Sequence, residues 1–151
     1  MRIQLDDLTG PEIAALLQEH LNDMNAVSPP ESKHALDLTG LKAKDISFWT
    51  LWQQQQLAGC VALKQLNAQQ GEIKSMRSAS AFRTQGIGKV LLQHVINEAK
   101  SRGYQQLYLE TGAMEYFVPA RSLYRSFGFK ACEPFAGYKQ DPNSVFMLLR
   151  I

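Results

Sequence analysis

The segment Arg83-Thr84-Gln85-Gly86-Ile87-Gly88-Lys89 restricts this chain more than any other. It lies between a strand-like run at 71–78 and the clearest helical pattern of the sequence, 87–101. In that helix Ile87, Leu91, Val95 and Ala99 form an apolar stripe, widened by Val90, Leu92 and Ile96. A strand, a loop with two glycines and a helix start make an anion-binding arrangement. The first N–H groups of the helix have no partner within it, and glycine lets the backbone approach a phosphate closely. Arg83 and Lys89 add positive charge. A plain turn with two glycines is the competing reading. The Walker pattern fails, because Arg83 stands at its first glycine and Val90 follows Gly88-Lys89. The dinucleotide fingerprint fails as well, with Leu91 at its third glycine.

The rest of the chain frames that loop. Ile3 and Leu5 alternate with Arg2 and Gln4 as a first strand. Pro11, with Thr9 or Gly10 as cap, opens a helix to about Asn25 in which Ile13, Leu16, Leu17, His20, Leu21 and Met24 share a face. The run Val27-Ser28-Pro29-Pro30-Glu31 breaks it, and 32–45 has room for a short helix. Strands at 46–53, 57–66 and 71–78 read as an antiparallel meander. Gly103 ends the 87–101 helix. A strand at 106–110, a helix at 118–127 opened by Pro119, and strands at 129–132 and 144–150 complete an α+β order with a mixed sheet.

Composition removes several classes. With 151 residues the chain is expected to form one domain over 1–151, and 45% hydrophobic with 20% charged residues is an ordinary globular balance. A net charge of +2 gives no nucleic-acid coat, and no basic stripe lies outside the loop. The longest apolar run, Leu57 to Leu63, is far shorter than the roughly 20 residues that cross a bilayer. No nucleic acid and no membrane are therefore expected as partners. The start meets Asp6 and Asp7 at once, as no secretory signal does, and two distant cysteines with no Cys-x-x-Cys suit a reducing cytoplasm, the expected location. Cys60 and Cys132 are far apart and His20, His34 and His94 are scattered, so no metal is expected.

The loop reads Arg-x-x-Gly-x-Gly, which resembles the acyl-CoA pyrophosphate loop of the GNAT N-acetyltransferase superfamily. Two further blocks match in order and spacing. The strand running into the loop bears a glutamate, Glu72-Ile73-Lys74-Ser75-Met76-Arg77-Ser78, and a later helix carries Leu123-Tyr124-Arg125-Ser126-Phe127-Gly128-Phe129. The likeness covers about residues 57 to 131. There are two departures. Many members place an asparagine seven residues before the tyrosine, where this chain has Phe117. A glycine often follows the arginine, where this chain has Thr84 and Gln85.

The resemblance implies a GNAT-type fold, a mixed central sheet with helices on both faces, and acetyl transfer from acetyl-CoA to an amine. It assigns the pyrophosphate to Arg83, Thr84, Gln85, Gly86, Ile87, Gly88 and Lys89. The pantetheine arm would lie along the backbone of Met76, Arg77 and Ser78, like an added strand. The N–H of Met76 would donate to the oxyanion of a tetrahedral intermediate. Tyr124 would protonate the leaving thiolate; spacing alone makes it one of a buried face with Ala120, Leu123 and Phe127. Glu72, four residues before Met76, would take the amine's proton, with Glu110, Glu115, His34 and Tyr138 as alternatives.

Acceptor binding is expected from His34, Lys74, Glu115 and Tyr138, within a wall of aromatic residues (Tyr116, Phe117, Phe135, Tyr138). Lys74, Arg77, Arg121 and His34 could meet an acidic group on the acceptor. Strand alternation gives Lys74 the parity of both Glu72 and Met76. The expected acceptor is a small-molecule amine, amino-acid-like or otherwise. A protein or peptide amine is one alternative, and a non-catalytic acyl-CoA sensor or interaction module is another. The apolar run Val145-Phe146-Met147-Leu148-Leu149 suits either a central strand or a homodimer contact.

Overall fold

A computed structural model describes residues 1–29 and 37–151. Its strands are β1 (Arg2–Leu5), β2 (Ile46–Gln53), β3 (Gln56–Gln65), β4 (Gln70–Ser78), β5 (Gln106–Gly112), β6 (Lys130–Cys132) and β7 (Ser144–Arg150). Its helices are α1 (Pro11–Val27), α2 (Leu38–Leu41), α3 (Ile87–Ser101) and α4 (Val118–Ser126). Short 3-10 turns at Ser80–Phe82 and Glu115–Phe117 precede the loop and α4. The helix expected within 32–45 is α2, capped by the Asp37 carboxylate on the Gly40 N–H at 2.8 Å.

The strands form one seven-stranded sheet in the order β1-β2-β3-β4-β5-β7-β6. The β4–β5 pair is parallel, as a strand–helix–strand connection through α3 allows, and every other pair is antiparallel. Alternation along the strands divides the core between two faces. On one, Trp49, Leu51, Val61, Leu63, Ile73, Leu107, Leu109 and Met147 pack with the α3 stripe, Tyr124 of α4 and Phe129. On the other, Phe48, Cys60 and Ala62 pack with Ile13, Leu16 and Leu17 of α1 and Leu41 of α2. Helices thus cover both faces of a mixed sheet, an α+β fold.

Two irregularities in β4 create the space the site needs. First, β3 and β4 lose register between Cys60↔Arg77 and Ala62↔Lys74, with Ser75 at φ +52°. An extra residue of this kind bends its strand and sharpens the local twist. Second, the β4–β5 ladder stops at Ile73↔Leu109, although the strands run on to Ser78 and Gly112. Beyond that rung they diverge.

The bulge also corrects the expected parity of β4. Glu72 and Lys74 do share a face, but Met76 packs against the cluster that holds Ile73. Arg77 lies opposite Cys60 on the α1 side instead.

Candidate active site

The divergence of β4 and β5 opens a cavity of about 110 Å³. β4 contributes Glu72 through Met76, and β5 contributes Leu109 through Gly112. Phe117, Ala120 and Tyr124 close it from the α4 side, His20 and Met24 from α1, and Tyr138 from the loop before β7. The sequence-derived residues Glu72, Lys74, Met76, Tyr124 and Tyr138 therefore meet around one space.

Glu72 is a buried carboxylate rather than a surface one, with its side chain 3% exposed. Its Oε2 accepts a hydrogen bond from the Tyr138 hydroxyl at 2.6 Å and pairs with Lys74 Nζ at 3.2 Å. Lys74 Nζ also donates to the Tyr138 oxygen at 2.8 Å, closing a three-membered network. Burial first, and then the Glu72 charge and hydrogen bond, push the Tyr138 hydroxyl well above the usual phenol range. Tyr138 is positioned by packing on Phe135 and Phe146, with Phe135 in turn on Tyr108.

Tyr124 reaches the cavity from the far side of the sheet. Its ring packs edge-on against Phe129 at 5.8 Å. Burial, and secondarily the negative charge of Glu110, push its hydroxyl up to about 12, so it keeps its proton at neutral pH. Phe117 lies under this region because Gly112 makes room for it: a Cβ at Gly112 would sit 2.1 Å from the Phe117 ring.

The glycine loop faces outward. Arg83, Thr84, Gln85, Gly86 and Lys89 are exposed, whereas Ile87 is buried as the anchor of α3. Gly86 is the N-cap residue of α3 at φ +81°, and a Cβ there would meet nothing within 4 Å. An anion can therefore approach the first-turn N–H groups, including those of Gly88 and Lys89. Arg83 is tethered only loosely, 3.4 Å from Asp23. Together with the parted strands, this gives the phosphate and the arm of acetyl-CoA a surface they fit.

Three expectations change on the structure. Arg77 does not face the acceptor, because its buried guanidinium donates at 2.6 Å to both Glu19 and Asp23 of α1. Arg121 is used on backbone carbonyls, those of Gly112 at 2.7 Å and Met114 at 3.0 Å. Glu115 is exposed on the outer side of its 3-10 turn and does not line the cavity, while Phe117 two residues on turns inward. His34 lies outside the described residues.

His20 is the cavity residue that the sequence did not single out. Burial, and then the Arg77 charge 3.5 Å away, lower it to about 4, so the imidazole is neutral at physiological pH. Its only sequence signal is a histidine inside the apolar stripe of α1. Among the described residues no group of His, Cys, Asp or Glu is arranged to hold a metal, and no helix is long and apolar enough to cross a membrane.

This arrangement of bulged strand, exposed glycine loop and tyrosine-bearing helix has counterparts. The profile of the Acetyltransferase (GNAT) family matches residues 13–129. The chain belongs to that family and is an acetyl-CoA-dependent acyltransferase. It is 54% identical to the uncharacterized N-acetyltransferase YsnE of Bacillus subtilis (strain 168) over 151 residues, all of both chains. It is 35% identical over 136 residues to an IAA acetyltransferase of Azospirillum brasilense, covering 89% of this chain and 88% of that one. In fold it is similar to a Bacillus subtilis acetyltransferase solved in complex with CoA, with a TM-score of 0.75 at 23% identity over 99% of this chain and 98% of that one.

Proposed function

We propose that residues 1–151 form a single N-acetyltransferase domain that moves the acetyl group of acetyl-CoA to the primary amine of a small molecule. The observation that carries this reading is the cavity where β4 and β5 part. It presents a protonated tyrosine and a carboxylate around a space of about 110 Å³. A space of that size is suited to a small acceptor.

In this reading the N–H groups at the start of α3, with Arg83 and Lys89, hold the pyrophosphate, and the backbone of Met76, Arg77 and Ser78 holds the arm. Glu72 takes a proton from the acceptor ammonium, freeing the lone pair that attacks the acetyl carbonyl carbon. The Met76 N–H donates to the oxygen that becomes negative. As the carbon–sulfur bond breaks, the Tyr124 hydroxyl donates to the sulfur on which charge is building, and the departing thiolate takes its proton by way of Tyr124 from solvent. The products are an amide and free CoA: nitrogen loses two protons, the first through Glu72 to solvent and the second to solvent as the intermediate collapses, while sulfur gains one, so one proton is released in all. The free thiols of Cys60 and Cys132 fit action in the cytoplasm.

The test is thiol release from acetyl-CoA with a mixed panel of small amines, comparing wild type with Tyr124→Phe. Release that depends on the amine and collapses in the variant supports the reading. Acetylation of a protein lysine with no response to any small amine would move the acceptor to the protein class. Cofactor binding without release under any amine would leave an acyl-CoA sensor.

A further inference from the structure

We infer that the acceptor carries a carboxylate beside its amine, an α-amino acid or a close analogue, and that Lys74 is the residue that reads it. This rests on the small-amine reading above and makes it more specific. Among the described residues lining the cavity Lys74 is the one cation, since His20 is held neutral. The other candidate cations are already committed: Arg77 to Glu19 and Asp23, and Arg121 to the carbonyls of Gly112 and Met114. Arg83 belongs to the outward-facing loop. An anionic group entering this space therefore meets Lys74.

Lys74 and Glu72 form a buried pair of opposite sign, with side chains 9% and 3% exposed, that opens onto the cavity. Such a pair is complementary to a zwitterion, with Lys74 facing the acceptor carboxylate and Glu72 the acceptor ammonium. A plain amine would compete with Lys74 for Glu72 and weaken a buried pair, which is unfavourable. An amino acid compensates both ends. Tyr138 holds Lys74 in place, accepting from Nζ at 2.8 Å with its ring centroid 5.6 Å from the ammonium.

The experiment measures thiol release from acetyl-CoA with the common α-amino acids, each beside its carboxamide and its decarboxylated amine. For the best acceptor, kcat/KM for the acid should exceed that of both partners by at least about tenfold. Lys74→Met should bring this ratio to about one, whatever it does to the absolute rates, and Lys74→Arg should restore much of it. A wild type that uses the carboxamide or the amine as well as the acid overturns the inference while small-amine acetyl transfer stands, and no variant is needed to see it. A Lys74→Met chain that keeps the wild-type ratio overturns it too. Thiol release with none of these compounds overturns the inference; release with other amines of the mixed panel then leaves the small-amine reading standing, and release with none of those overturns it as well.

Discussion

Removing the Tyr124 hydroxyl is the sharpest perturbation of the proposed chemistry. The side chain is buried and its hydroxyl, pushed up to about 12, stays protonated across the whole range in which the enzyme can be assayed. A thiol has a reference value near 8.5, so complete proton transfer from Tyr124 to a thiolate is uphill by about 3.5 units, roughly 5 kcal/mol. The hydroxyl therefore helps mainly while charge is building on sulfur, as a donor to a developing anion in a site shielded from water. Such a charge-assisted hydrogen bond is worth about 1.5–3 kcal/mol. Tyr124→Phe should then lower kcat by about tenfold to about 150-fold.

The ring of the variant keeps its edge-on contact with Phe129 and its place in the α4 face of the core. The change in stability should stay within about 1 kcal/mol, a few degrees in Tm. Initial rates by thiol release give kcat, and equilibrium binding gives the acetyl-CoA dissociation constant, expected within about threefold of wild type because Tyr124 lines the cavity and the exposed loop residues are unchanged. A variant that keeps more than about a fifth of wild-type kcat at saturating acceptor would refute the role of Tyr124 as the acid, since a donor of this kind cannot be worth so little.

Three other outcomes follow from the geometry. His20 is lowered to about 4 from 6.5, so the unfolded chain binds one more proton between those values and stability falls as pH drops. The loss by pH 4 is about 3 kcal/mol by the pKa difference; urea unfolding at pH 7 and pH 4.5 measures most of it, and His20→Gln should remove that slope. Gly112→Ala puts a Cβ 2.1 Å from the Phe117 ring, so Phe117 must move; a loss of about 1–3 kcal/mol in urea unfolding is expected, with acetyl transfer also reduced. Thr84 holds φ +64°, a left-handed conformation that costs a β-branched residue about 1–2 kcal/mol. Thr84→Gly should raise stability by up to about 1 kcal/mol, less the backbone entropy that glycine loses on folding, and a Tm that fell would show that the strain is absent.

What could be read from the sequence was whatever repeats locally. α3 was legible at both ends because its stripe has the helical period and glycines flank it at Gly86 and Gly103. The meander β2–β4 was legible for the same reason, being alternating runs separated by short turns. The fate of the charges was not. Arg77 reads as a cation on the strand before the loop, yet its partners Glu19 and Asp23 lie more than fifty residues earlier, and only the docking of α1 on the sheet brings them together. Glu115 and Phe117 sit two apart in a 3-10 turn, so one faces water while the other is buried, and no strand or helix period assigns which. His20 looked like one more position of an apolar stripe, because the Arg77 charge that helps keep it neutral comes from another element.

The bulge at Ser75 ties these observations to the chemistry. A regular β4 would carry Glu72, Lys74 and Met76 on one face and could continue pairing with β5, which would fill the cavity with ladder hydrogen bonds. Ser75 at φ +52° takes up one extra residue, and a non-glycine residue in that conformation leaves no signature in the sequence. Past it, Met76 joins the α3 face while Glu72 and Lys74 stay on the other. The gap between β4 and β5 is therefore a place that both faces of the sheet reach: Tyr124 enters from the α4 side and the Glu72–Lys74–Tyr138 network from the opposite one. Acyl transfer needs this separation. The acceptor nitrogen and the leaving sulfur occupy different positions on the carbon that passes between them, so the base and the acid must approach that carbon from different directions. A strand that kept its regular alternation would have placed neither group across from the other.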